Sequence, residues 1–127
     1  MIDQQIISDK NLIILSMNGA ITYDDIEKQF RSMQENSQYI ATMQGVLDLR
    51  KAIPAASPEE VEKLGELASQ IKLTLGRWAY IADAPIPTAL ALLYQYQISG
   101  MHESAIFSTV ESASEYLMTD LSRYIEA

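Results

Sequence analysis

Two hydrophobic periods alternate along this chain, and that alternation constrains its fold more than any other feature. Short, β-rich apolar runs are separated by longer stretches whose apolar residues recur at spacings of three and four. Ile2 to Ile7 and Leu12 to Met17 read as two strands around the polar turn Ser8-Asp9-Lys10-Asn11, a connection short enough to make them antiparallel neighbours. Asn18-Gly19 is expected to break the second strand. A helix then starts near Thr22, with Asp24 and Asp25 favouring its positive end and Ile26, Phe30 and Met33 forming one stripe. Val46 to Leu49 reads as a strand. Ser57, Pro58 and Glu60 then give the clearest helix start in the chain: a cap, a proline at the first helical position and an acid three residues after the cap. Val61, Leu64, Leu67, Ala68 and Ile71 are that helix's buried face.

The pattern repeats twice more. Arg77 to Ala82 is expected as a strand, Asp83 to Pro87 as a turn, and the residues up to Ile98 as a helix stopped by Gly100. Ser104 to Ser108 is a last strand, and Thr109 leads into a helix carrying Val110, Ala113, Tyr116, Leu117 and Leu121. The order β-β-α-β-α-β-α-β-α implies an α/β fold: a five-stranded mixed sheet with four helices, an antiparallel hairpin followed by parallel strands with right-handed crossovers. With 127 residues, no repeat and no long linker, residues 1–127 read as one domain.

Composition then removes whole classes of chemistry. Seventeen acids against nine bases give a net charge of −8, the wrong sign for displacing counterions from nucleic acid. There is no cysteine, hence no thiolate nucleophile or Cys-type zinc site, and His102 is the only histidine, so no histidine pair can hold a metal. His102 reads as a solvated loop residue. The five glycines are isolated, which leaves no phosphate-binding loop. No metal site, cofactor or catalytic constellation is expected, and the chain reads as non-enzymatic. The N-terminus lacks a basic region and a long apolar core, and the longest apolar run, Ala89 to Tyr94, is far short of the roughly 20 residues of a membrane helix. No membrane insertion is expected, and the cytoplasm is the expected compartment.

Several segments carry a family resemblance. Val46-Leu47-Asp48-Leu49-Arg50 resembles the strand before the regulatory loop of STAS domains, the anti-sigma-factor antagonists. Arg77-Trp78-Ala79-Tyr80-Ile81-Ala82-Asp83-Ala84-Pro85 is similar to a SpoIIAA-like branch of short bacterial proteins. So is Phe107-x-x-x-Glu111-x-Ala113-x-x-Tyr116-Leu117. The resemblance implies a SpoIIAA-like βα superhelix, related in fold to CRAL-TRIO lipid carriers. It also implies two functions. One is a regulatory protein-interaction module switched by phosphorylation of a serine after the Val46–Leu49 strand. Ser57 is the only serine there, in Ala55-Ala56-Ser57-Pro58, which lacks the acid and glycine of the phospho-regulated loops; a plain helix cap also accounts for it. The other is a carrier or sensor of a small apolar ligand, with a small pocket because 127 residues leave no chain for lid helices.

In parallel sheets ligands approach the carboxyl ends of strands, which here are expected to present Arg50, Lys51, Asp83, Ser108 and Thr109. Arg50-Lys51 can bind an acidic group or simply be solvated; Thr109 reads as a helix cap before a ligand contact. From Trp78 onward six acids face one base, Arg123, a local net of −5. The Ala89–Ile98 helix is apolar almost all round and must be covered on more than one side. Either the last helix covers it, or a protein partner or second copy does so through Tyr94 or Tyr96.

Overall fold

A computed structural model describes residues 1–127, with elements β1 (Ile2–Ile7), β2 (Leu12–Ile21), α1 (Tyr23–Glu35), β3 (Gln44–Pro54), α2 (Pro58–Gln70), β4 (Trp78–Ile81), α3 (Pro85–Gln97), β5 (Ser104–Phe107) and α4 (Val110–Leu117). One-turn 3-10 helices follow β1 and α4. The strands form one sheet in sequence order; β1 runs antiparallel to β2, and every later neighbour is parallel. The chain thus has the α/β architecture, strand count and helix count that the alternation implies.

Strand order decides where the helices go. Each parallel crossover steps one strand in the same direction, so right-handed connections must place α1, α2 and α3 on one face. Phe30 and Met33 of α1 and Leu64 and Ala68 of α2 pack there with Ile13, Leu15, Trp78 and Tyr80 of the sheet. After β5 no strand remains, and α4 turns back over the opposite face. Val110, Ala113 and Leu117 cover Leu12, Ile14, Val46, Ala79 and Ile81. Both faces of the central strands are therefore covered, which is why β4 is buried at every position and reads as a continuous apolar run. No helix is long and apolar enough to cross a membrane.

The helix starts follow their sequence signals. Thr22 Oγ1 accepts from the Asp25 amide at 3.2 Å while the Asp25 carboxylate accepts from the Thr22 amide at 2.9 Å. Those bonds hold the Asp25 carboxyl below its usual range. Ser57 and Glu60 make the same reciprocal pair at the start of α2.

Several boundaries differ from the sequence reading; α3 starts at Pro85, inside the expected Asp83–Pro87 turn, because a proline fits the first helical turn. Asn18-Gly19 does not end β2: the strand kinks through a register shift between Ser16 and Asn18, Gly19 takes φ +73°, and pairing to β3 resumes as far as Ile21. Correspondingly, β3 runs past Leu49 to Pro54, because the extended β2 gives it a partner. The last helix ends at Leu117, where Met118 adopts a left-handed conformation (φ +57°); Leu121 belongs to the following 3-10 turn.

Candidate functional site: an apolar pocket between the sheet and three helices

Between the sheet and the α1–α3 layer the core is not filled. A pocket of about 100 Å³ is lined by 22 residues, 18 of them hydrophobic and none formally charged. The sheet supplies Leu15, Met17, Leu47, Leu49, Trp78 and Tyr80 as its floor. Ile26, Phe30 and Met33 come from α1, Val61 and Leu64 from α2, and Leu90, Ala91 and Tyr94 from α3. Toward the carboxyl ends of the strands the small or short residues Ala52, Pro54, Ala56, Pro87 and Ala91 stand among larger ones such as Ile21, Ile26 and Leu49. Ordinary core packing leaves few voids larger than a water molecule, and small residues facing one another open the space here.

At the other end, near the amino ends of β4 and β5, Thr74, Tyr80 and His102 satisfy one another. Thr74 Oγ1 lies 2.7 Å and Thr74 O lies 3.1 Å from His102 Nδ1, and Tyr80 Oη lies 3.2 Å from His102 Nε2. His102 is therefore half-buried and bonded through both ring nitrogens. It is not the solvated loop residue expected from its place after Gly100, because the loop folds back onto the buried Thr74. Burial lowers the imidazole pKa, opposed by the hydrogen bond that His102 Nδ1 makes to the Thr74 carbonyl. Burial also raises the Tyr80 and Tyr94 hydroxyls, so every titratable group on the pocket wall is neutral at pH 7. A site built this way offers no charge, and its Thr74–His102–Tyr80 trio is mutually engaged; the Trp78 indole Nε1–H is buried without a partner, and the rest of the wall can exclude water and hold apolar surface.

The imidazole has a measurable consequence. Its folded pKa lies below the unfolded value of about 6.5, so the unfolded chain binds the extra proton more readily. The stability it supports is complete above that unfolded value and is lost as pH falls toward the depressed folded pKa. Urea midpoints recorded between pH 7.5 and pH 5 should fall more steeply in the wild type than in His102→Gln. Parallel slopes for the two proteins would contradict a neutral His102.

The residues singled out by sequence lie in several places. Arg50 and Lys51 are within β3, not at its end. Arg50 makes two bonds of 2.9 Å to the Asp48 carboxylate and one of 2.6 Å to the Glu126 carbonyl, and the Asp48 bonds raise its pKa. Lys51 is exposed, 3.6 Å from the Glu126 carboxylate. Arg50 ties the C-terminal segment to β3, whereas the exposed Lys51 pair with Glu126 adds little. Asp83 and Ser108 are exposed beyond the ends of β4 and β5. Thr109 caps α4, accepting from the Ser112 amide at 3.1 Å. Ser57 caps α2 beside Ala56, which lines the pocket. The two tyrosines of α3 part company. Tyr94 turns inward, 6.3 Å from Tyr80 and 6.2 Å from Phe30 between ring centroids, so it is a pocket wall and not a surface contact. Tyr96 is 75% exposed. The last helix does not cover α3; it lies on the other face of the sheet.

This arrangement, a mixed sheet in sequence order with three helices on one face and one on the other, is the SpoIIAA-like fold. A protein of the DUF3478 family with that fold from Shewanella loihica PV-4 superposes with a TM-score of 0.63 at 14% identity, over 92% of this chain and 92% of that one. The anti-sigma factor antagonist SpoIIAA in its unphosphorylated form superposes with a TM-score of 0.58 at 10% identity, over 98% of this chain and 100% of that one. No family model matches the sequence. No curated protein matches it either.

Proposed function

We propose that the protein is a non-enzymatic binding module that takes a small, uncharged, apolar ligand into the pocket between the sheet and α1–α3. One observation carries the reading: the core contains an uncharged void, walled by 18 hydrophobic residues, whose Thr74–His102–Tyr80 end is already hydrogen-bonded within itself. A cavity of about 150 Å³ of this character admits benzene. At about 100 Å³ and partly open, this one suits a ring or branched chain of five or six carbons. A carboxylate or ammonium would be stripped of water with no opposite charge on the lining to replace it; the one unpartnered buried donor of a lining residue is the Trp78 indole Nε1–H.

Trp78, the only tryptophan, lines the pocket and reports on it. Titration with benzene, exciting the indole where benzene does not absorb, should give a saturable emission change and a rise in melting temperature. Benzoate should give neither. If neither benzene nor cyclopentane produces a saturable change, the pocket is a packing defect and the reading fails.

A second reading has its own support. SpoIIAA, named as an anti-sigma factor antagonist, matches this fold along its whole length. Regulation of a protein partner is the role that likeness suggests. Ser57 is the residue through which such regulation would run, and its neighbour Ala56 is part of the pocket wall. Ligand occupancy and partner contact would then share the segment between β3 and α2.

A further inference from the structure

Trp78 is 3% exposed, and its indole nitrogen meets neither solvent nor an acceptor in the protein. Buried side-chain donors are ordinarily paired, because each gave up water to be there. The neighbours of Trp78 do not supply the partner. His102 lies beside the indole, 6.3 Å between ring centroids and tilted by 37°, yet both its nitrogens are bonded to Thr74 and Tyr80. On another side the indole lies against Gly45, whose missing side chain lets the ring settle on β3. Trp78 is also part of the pocket wall, and the pocket is the unfilled space that it borders. An acceptor from outside the chain therefore reaches Nε1 from that space.

We propose that the pocket selects a small neutral ligand with one carbonyl oxygen on an apolar frame, and that this oxygen accepts a hydrogen bond from Trp78 Nε1–H. The inference rests on the reading of the pocket as a ligand site and specifies the chemistry that the site prefers. An indole donates and cannot accept, so its complement is an acceptor. No lining residue is formally charged, so a carboxylate oxygen would bury its charge unmatched. A hydroxyl brings a proton that needs a second partner, whereas a ketone or ester oxygen brings lone pairs alone. The hydrophobic remainder of the wall takes the carbon frame. A hydrocarbon of the same size still enters, but it leaves the donor unpaired. The donor is also held in place beforehand. The Trp78 amide donates to the Glu103 carbonyl at 2.9 Å, which fixes the backbone that carries the indole, so little ordering is needed when the ligand arrives.

Cyclopentanone and cyclopentane, the same ring with and without the oxygen, test this by NMR. Binding is followed on the methyl resonances of Met17 and Met33, which line the pocket and remain when the indole is changed. Trp78 is the only tryptophan, so the wild type has a single indole N–H resonance. Saturating cyclopentanone should move that proton downfield, as a new hydrogen bond requires, and cyclopentane should not. In Trp78→Phe the preference for cyclopentanone over cyclopentane should fall about tenfold, because only the ketone loses a partner. The larger cavity is common to both probes and cancels in the ratio. Tyr94→Phe, which removes a hydroxyl from the same wall, should change the ratio less than about twofold. The indole resonance is read in the wild type, so the test stands even if Trp78→Phe does not fold. Saturable cyclopentane binding, with cyclopentanone leaving the indole proton in place, overturns the carbonyl preference and leaves the pocket as a ligand site. A ratio unchanged by Trp78→Phe, or lowered equally by Tyr94→Phe, overturns it as well. If neither probe saturates, the pocket is not a ligand site and both readings fail.

Discussion

Ala91→Leu should make the protein more stable and less able to bind. Ala91 is buried on the inner face of α3 and lines the pocket. Leucine there adds three carbons that point into existing space. A methylene moved from water into such space is worth about 0.8 kcal/mol, and imperfect fit reduces the total. The expected gain is about 1–2 kcal/mol, seen as a rise in melting temperature of roughly 3 to 8 °C. Benzene affinity, read from Trp78 emission, should fall at least tenfold because the volume is occupied. Core substitutions to larger residues ordinarily cost stability, so the sign is informative. A destabilised variant that still binds would mean that the space is not where the structure places it. The opposing signs are what a functional void requires: the native protein forgoes packing that a single substitution can supply.

Much of this architecture was legible because it rests on local physics. The caps at Thr22 and Ser57, the β-rich runs and the alternation of periods all act over a few residues, and the structure follows them. The longer reaches of β2 and β3 were not legible, because each exists only through the other. Gly19 breaks a strand considered alone, yet a kinked strand can still pair when Lys51 to Pro54 runs alongside. The side of the sheet taken by the last helix follows from strand order, which periodicity does not contain. The burial of His102 is not legible for a similar reason. Its partner Thr74 is 28 residues away, and nothing near His102 signals that contact.

The pocket was legible only in outline. Sequence marks its lining as core, but a void is the difference between available and filled volume, and that depends on the spacing of layers. One signal did exist: Ala52, Pro54, Ala56, Pro87 and Ala91 are small residues at positions where two layers face each other. The outer face of α3 was more readable, since a helix without a polar side must present apolar surface somewhere. Sequence could not say that Tyr94 and Tyr96 would divide between inside and outside until the direction of packing was known.

Gly45→Ala should be among the most damaging single-methyl additions in the chain. Gly45 pairs with Trp78 across β3 and β4, and the indole lies over its Cα, so an added Cβ would sit 2.2 Å from Trp78 Cε2. Neither group can simply step aside. The Gly45 amide donates to the Arg77 carbonyl at 3.0 Å, and the Trp78 amide donates to the Glu103 carbonyl at 2.9 Å, so both backbones are fixed in the sheet. The indole's remaining escape is to rotate toward the pocket, which trades the clash for a strained rotamer and a partly filled cavity. A loss of about 3 kcal/mol is expected, or roughly 10 °C in melting temperature, with a shifted Trp78 emission maximum. Rotation would also obstruct the pocket, so benzene affinity should fall with stability. The cause can be isolated by a double-mutant cycle. Trp78→Leu alone should be destabilising, and adding Gly45→Ala to it should cost well under 1 kcal/mol, because the atoms that clash have been removed. If Gly45→Ala costs as much in the Trp78→Leu background as in the wild type, the penalty arises from the strand backbone and the indole does not set the position of the pocket floor.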